Sequence, residues 1–161
     1  MADRNVLLIA FQFPPMRGSS AIQRTLRFAH SLPDFGWRPV VGTAVTSAYE
    51  SADPRTLDQI PGGCEVIRAT ARDTARHLSI GGRYPGFLAV PDRWASWSWA
   101  GGWIAARAAR RFGAQAVWST YPIATAHRIG ATLARRTGLP WVADFRDPMA
   151  QEGYPADPRR W

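Results

Sequence analysis

The stretch NVLLIAFQFPPMRGSSAIQRTLRFAHSLPDFGWRPVVGTA, Asn5 to Ala44, decides how this chain folds. Its first apolar run, Val6 to Phe11, is not interrupted by polar positions, so the strand it predicts must be covered on both faces, as strands of a parallel sheet are. A Pro-Pro-x-x-Gly-Ser-Ser loop follows. Ser20 and Gln23 stand at capping-box spacing, and Ile22, Leu26, Ala29 and Leu32 then share one helical face, with Arg24, Arg27 and Ser31 away from it. That pattern predicts a helix over residues 20–32. Pro33-Asp34-Phe35-Gly36 stops it, and Arg38 to Val45 begins a second strand, completing a βαβ unit whose crossover is right-handed.

The same alternation continues outward. Residues 46–64 read mostly as loop, with a short helix near Arg55 to Gln59, and Cys64 to Ala69 as a third strand. Thr70 to Arg93 has no period and contains Gly81-Gly82, Pro85-Gly86 and Pro91, so it is read as a long surface excursion of the kind that often carries function. Trp94 to Phe112 predicts a helix ended by Gly113. Ala116 to Thr120 predicts a fourth strand, Pro122 to Thr137 a helix closed by Gly138, and Trp141 to Phe145 a fifth strand. Strands alternating with helices make this an α/β chain, a Rossmann-like doubly wound parallel sheet with helices on both faces. Residues 1–148 are expected to form that domain, and 149–161 to begin the next segment.

With 161 residues and 46% of them hydrophobic, the chain can build one domain with a real core and not two. The single cysteine, Cys64, rules out an internal disulfide framework or a cysteine-based metal site. The N-terminal run is too short and wrongly flanked for a signal peptide, and no run reaches the length of a membrane span, so a cytoplasmic location is expected. A net charge of +8 invites a nucleic-acid reading, but every basic residue is Arg and the arginines are scattered from Arg4 to Arg160. No nucleic-acid partner is expected. A solvated basic surface is the plain reading, and attraction to anionic lipid or phosphorylated ligands comes next.

Ligand crevices of open parallel sheets lie at the carboxyl ends of the strands, so FPPMRGSSAIQR, STYP and DFRDP should converge there. In the first, Gly18 lets backbone approach a ligand, and the amides of Ser19, Ser20 and Ala21 open a helix N-terminus suited to an anion. The absence of GxGxxG and of GxxxxGK[ST] argues against a dinucleotide dehydrogenase or a P-loop kinase. Asp144, Arg146 and Asp147 form the densest charged group. A carboxylate there can orient or deprotonate a hydroxyl and a guanidinium can hold a phosphate; the other reading is an Asp-Arg pair that fixes the strand end, with Asp147 capping a turn. His127 reads as a packed or solvated helical histidine rather than a base. Trp97 and Trp103 lie about 120° apart around a helix, so Trp94, Trp97, Trp99 and Trp103 cannot share one face. Core and groove packing is the favoured reading of that group, an interfacial membrane belt the other.

Four blocks carry a family resemblance: LLIAFQFPPMRGSSAIQRTLRFAHSLPDFGWRPVVGTA, PDRWASWSWA, VWSTYPIATAHRIGATLARRTGLPWVADFRDPM and the final DPRRW. Together they resemble the N-terminal domain of family 4-like glycosyltransferases, in which two Rossmann-like domains face each other across a cleft in the GT-B arrangement. The resemblance implies an acceptor-side domain whose Pro-Pro-x-x-Gly loop approaches the diphosphate of a nucleotide-sugar bound on a C-terminal donor domain. It implies transfer to a hydroxyl acceptor, with no cofactor beyond that donor substrate and no metal. Gly18, Ser19 and Ser20 would approach the donor phosphates, with Arg24 supplying charge. Asp144 and Arg146 would take the catalytic positions, and Pro14, Pro15, Ser119, Thr120, Tyr121 and Asp147 would line the acceptor cleft.

The departures from the family pattern are specific. Many members have paired glycines in the first loop where this chain has Gly18-Ser19-Ser20. Many have a histidine after the fourth strand where Ser119, Thr120 and Tyr121 stand here. The chain stops before the donor domain and its paired-glutamate motif, so it reads as an acceptor-side half, truncated and inactive alone. A non-catalytic binding module and a basic domain peripheral to the inner membrane face are the competing readings.

Overall fold

Side-chain alternation along the first strand builds the two layers of the core. In a computed structural model that describes residues 4–145, Leu7 and Ile9 of β1 (Arg4–Ile9) point to one face of the sheet. Val6 and Leu8 point to the other. Both sets are buried, which is why the run has no polar positions.

The remaining elements are α1 (Ser20–Ser31), β2 (Trp37–Ala44), β3 (Glu65–Ala69), the short α2 (Thr74–His77), α3 (Trp97–Arg111), β4 (Ala114–Thr120), α4 (Ala124–Thr137) and β5 (Trp141–Asp144). The five strands form one sheet in the order β3-β2-β1-β4-β5, with every neighbouring pair parallel. Helix α1 covers one face through Ile22 and Leu26. Helices α3 and α4 cover the other through Trp97, Ala105, Ala108, Ile129 and Leu133. The expected doubly wound parallel architecture is therefore the observed one. Strand order reverses direction at β1, between β2 and β4, so the crevice of such a sheet opens at the carboxyl ends of β1 and β4.

Boundaries differ from the sequence reading where side chains from elsewhere set them. Helix α1 is capped by Ser19, whose hydroxyl accepts from the Ala21 amide at 3.2 Å, and Ser20 is its first helical residue rather than its cap. Helix α3 begins at Trp97 instead of Trp94, because Asp92 holds the Trp94 amide at 2.9 Å in a turn that precedes it. Helix α4 begins at Ala124 with no side-chain cap from Ile123; the Asp92 carboxylate accepts from its Thr125 amide at 2.6 Å instead. Residues Pro54–Gln59 form the anticipated short helical piece, as a 3-10 turn.

Two glycines permit close packing. A β-carbon on Gly101 of α3 would lie 2.7 Å from Ile129 Cδ1 of α4. One on Gly130 of α4 would lie 2.6 Å from the Trp141 indole nitrogen and 3.0 Å from the Ser119 hydroxyl. No helix among the described residues is long and apolar enough to cross a membrane.

Candidate functional site

The loop after β1 is fixed from below and open above. Pro14 and Pro15 are buried. The Pro14 carbonyl accepts from the Arg68 guanidinium, and the Pro15 carbonyl accepts from the Asp53 amide at 2.8 Å. A buried knot at the carboxyl ends of β1 and β2 holds the start of this loop: Thr43 and Tyr49 both donate to the Phe11 carbonyl at 3.0 Å. Burial pushes the Tyr49 phenol above its ordinary value despite the Thr43 hydrogen bond and the nearby Arg68 charge, so it stays a donor. Gly18 adopts φ +86°, with open space where a side chain would point. Ser19 is occupied as the α1 cap and also donates to the Gln12 side chain.

Beside that loop the structure brings together residues far apart in the chain. Arg24, in the first turns of α1, pairs with Asp144 at the end of β5 at 3.0 Å. Thr120, at the end of β4, donates to the other Asp144 oxygen at 2.8 Å. Asp144 thus sits in the crevice with both oxygens engaged and a largely buried side chain. Arg146 and Asp147 lie outside the described residues.

Ser119 points the other way. It is fully buried, and its hydroxyl accepts from the Trp141 indole at 2.8 Å and contacts His127 Nδ1 at 2.8 Å. The indole can only donate, so the hydroxyl accepts from it; the direction of the second hydrogen bond follows the tautomer of His127, whose Nδ1 faces the hydroxyl and whose Nε2 points away from it. Among the described residues that Nε2 has no partner. Burial lowers the His127 pKa, opposed by the charge of Asp144, so the ring stays neutral. Phe145 covers it at 4.4 Å between ring centroids. The packed helical histidine expected from sequence is what forms, as part of a Ser119-His127-Trp141 link joining β4, α4 and β5.

The 70–93 excursion, whose length was its only sequence signal, supplies the second wall. Asp73 is fully buried and receives the Arg93 guanidinium through two hydrogen bonds, one of them from Nε at 2.8 Å. Burial alone would raise the Asp73 carboxyl, but Arg93 and the Ala75 and Arg76 amides outweigh it and hold it below the carboxylate range. Arg93 also reaches Glu50 at 2.9 Å. This pair pins a cavity of about 480 Å³ between the excursion and the β4–α4 turn, lined by Tyr84, Val90, Pro91, Asp92, Arg93, Trp94, Tyr121 and Pro122 among others. Its charged members are already occupied, Arg93 by carboxylates and Asp92 by amides. The aromatic and apolar lining is left to meet a ligand. Sequence reading identified Tyr121 here and missed Tyr84, Val90 and Pro91.

Of the tryptophans, Trp97 is core and Trp94 packs on Phe11 at 4.9 Å, as core and groove packing requires. Trp99 and Trp103 do not follow that reading, since helical geometry turns both to solvent. Among the described residues no cluster of His, Cys, Asp and Glu could hold a metal ion.

No protein-family model and no curated protein sequence matches this chain. Solved structures do match it in fold. The glycosyltransferase SnogD from Streptomyces nogalater is 22% identical with a TM-score of 0.51, over 89% of this chain and 33% of SnogD. UGT2 from Phytolacca americana is 13% identical with a TM-score of 0.58, over 88% of this chain and 29% of UGT2. MurG from Acinetobacter baumannii is 15% identical with a TM-score of 0.56, over 92% of this chain and 36% of MurG. The chain thus spans about a third of the length of each. Its parallel α/β sheet with helices on both faces is built like one Rossmann-like half of a GT-B fold.

Proposed function

We propose that this chain is the acceptor-side half of a glycosyltransferase that moves a sugar from a nucleotide-sugar to a hydroxyl acceptor. The observation that carries the reading is the crevice at the carboxyl ends of β1, β4 and β5, with an open glycine turn on one side and an aromatic cavity on the other. Gly18, Ser19 and Ser20 stand where backbone can approach a donor diphosphate, and Arg24 adds positive charge beside them. Preorganised donors of that kind stabilise a leaving diphosphate without a metal. Asp144 orients the acceptor hydroxyl from its Arg24 and Thr120 contacts, and Arg146 and Asp147, which follow it in sequence, are assigned to catalysis and to the acceptor cleft. Thr120 and Tyr121 reach the acceptor, Pro14 and Pro15 hold the loop above it, and Ser119 supports the wall from behind through His127.

The cavity lining points to a neutral acceptor with an apolar or ring-shaped body, because both of its charged residues are occupied within the protein. This reading assigns residues 1–148 to the domain and 149–161 to the start of the next segment. In the complete enzyme a second domain holds most of the nucleotide, in the cytoplasm where such donors are made, and this chain alone does not turn over.

The test is nucleoside diphosphate release by a polypeptide that joins this chain to its donor domain, across a panel of nucleotide-sugars with hydroxyl acceptors. Turnover should fall at least about 100-fold in Asp144→Asn and in Gly18→Val, whose side chain would enter the diphosphate's approach path at a positive φ. Unchanged turnover in both would remove these residues from the mechanism, and no release with any donor would remove the reading. A second reading, a non-catalytic binding module, is favoured by one observation, the engagement of both Asp144 oxygens within the protein. It predicts saturable acceptor binding by the joined polypeptide with no release.

A further inference from the structure

The face of α3 turned away from the sheet carries large aromatics that stand exposed among the described residues. Trp99 and Trp103 are 83% and 63% exposed, opposite the buried Trp97, Gly101, Ala105 and Ala108 of the same helix. Four residues apart, they lie on one face. Arg107 continues the stripe, its guanidinium 4.9 Å above the centre of the Trp103 ring. Trp103, Arg107, Arg110 and Arg111 line one open groove of about 630 Å³ together with Ile104 and Ile67 of β3. Helix α3 contains no carboxylate, and no ion pair among the described residues engages Arg107, Arg110 or Arg111.

We propose that this face docks on the surface of an anionic lipid bilayer. Trp99 and Trp103 enter the headgroup layer, where an apolar ring with one polar N–H is best accommodated. Arg107, Arg110 and Arg111 meet the lipid phosphates while their aliphatic stems lie along the apolar boundary. Neither signal holds a protein firmly by itself, and combining them is what gives stable surface attachment. Charge complementarity selects this occupant over a second copy of the chain, since two such faces would set arginine against arginine. The inference stands on this face alone and does not rest on the sugar-transfer reading. Docking would also bring the cavity beside Trp94 close to the bilayer, because Trp94 and Trp99 flank the start of α3.

The test is cosedimentation of the full chain with vesicles of phosphatidylcholine alone and of phosphatidylcholine mixed with phosphatidylglycerol, at physiological ionic strength. Binding is expected to the mixed vesicles only. Trp99→Ser with Trp103→Ser should weaken it about tenfold or more, and Arg107→Gln with Arg110→Gln and Arg111→Gln should do the same. Arg135→Gln with Arg136→Gln, exposed on α4 outside this face, should leave binding within about twofold of the parent. All of these positions are exposed, and unchanged circular dichroism spectra would show that the variants remain folded. The proposal is overturned by absence of binding to the mixed vesicles, by a tryptophan variant that binds like the parent, or by an equal loss in the α4 pair, which would show net charge alone at work. Release by inorganic phosphate at matched ionic strength would indicate a phosphate site instead of a bilayer surface, and would overturn it too.

Discussion

His127 shows how one buried ring couples the fold to pH. Its folded pKa is depressed by burial, whereas an unfolded histidine titrates near about 6.5. On acidification the unfolded chain therefore takes up this proton first. Its contribution to stability is intact above about pH 6.5 and is lost as the pH falls from there through the depressed folded value. Chemical denaturation across that window should show the loss, and His127→Gln should flatten the profile; an unchanged profile would mean that another group titrates. Gly130 presses on the same cluster. Gly130→Ala places a methyl against Trp141 and Ser119 and should cost about 1–3 kcal/mol, read as a lowered Tm, although alanine is the better helix former. Cys64 is the opposite case: burial, then the Glu65 charge, push its thiol up to about 11, so it should react slowly with alkylating agents at neutral pH.

Among the elements, the 70–93 excursion is ordered by polar contacts rather than by periodic apolar packing. Arg93→Ala leaves the buried Asp73 carboxylate without its cation, and a loss of about 3 kcal/mol is expected, with faster proteolysis inside the excursion as the local readout. A variant with unchanged stability and proteolysis would show the pair to be dispensable. Asp92 ties that excursion to α4, and Asp92→Ala should cost about 1 kcal/mol through the lost cap. The glycine and proline stops around α1 and α4 were readable, because Gly36 and Gly138 take left-handed conformations that local sequence alone favours. The cap of α4 was not, since Asp92 lies 33 positions before the Thr125 amide that it holds.

Across the whole molecule, the Arg24–Asp144 pair joins the first helix to the last strand over a sequence separation of 120. Arg24 is partly exposed, so a double-mutant cycle on the two should return under about 1 kcal/mol of coupling to stability. A larger value would make the pair a structural clamp first and a crevice element second. Sequence by itself determined the layered fold. Apolar runs and helical stripes are local records of which faces must be buried, and they specified each of the five described strands and the helices α1, α3 and α4, but not the short α2 inside the aperiodic excursion. It also marked the strand-end loops where a crevice must lie. What only the tertiary structure decided is which side chains meet there. Ser119 and Thr120 are adjacent in sequence, yet the alternation of β4 sends one to His127 and Trp141 and the other to Asp144. The aromatic cavity and the exposed Trp99–Trp103 face likewise depend on how a loop and a helix settle against the sheet, a long-range packing outcome with no periodic signature in the chain.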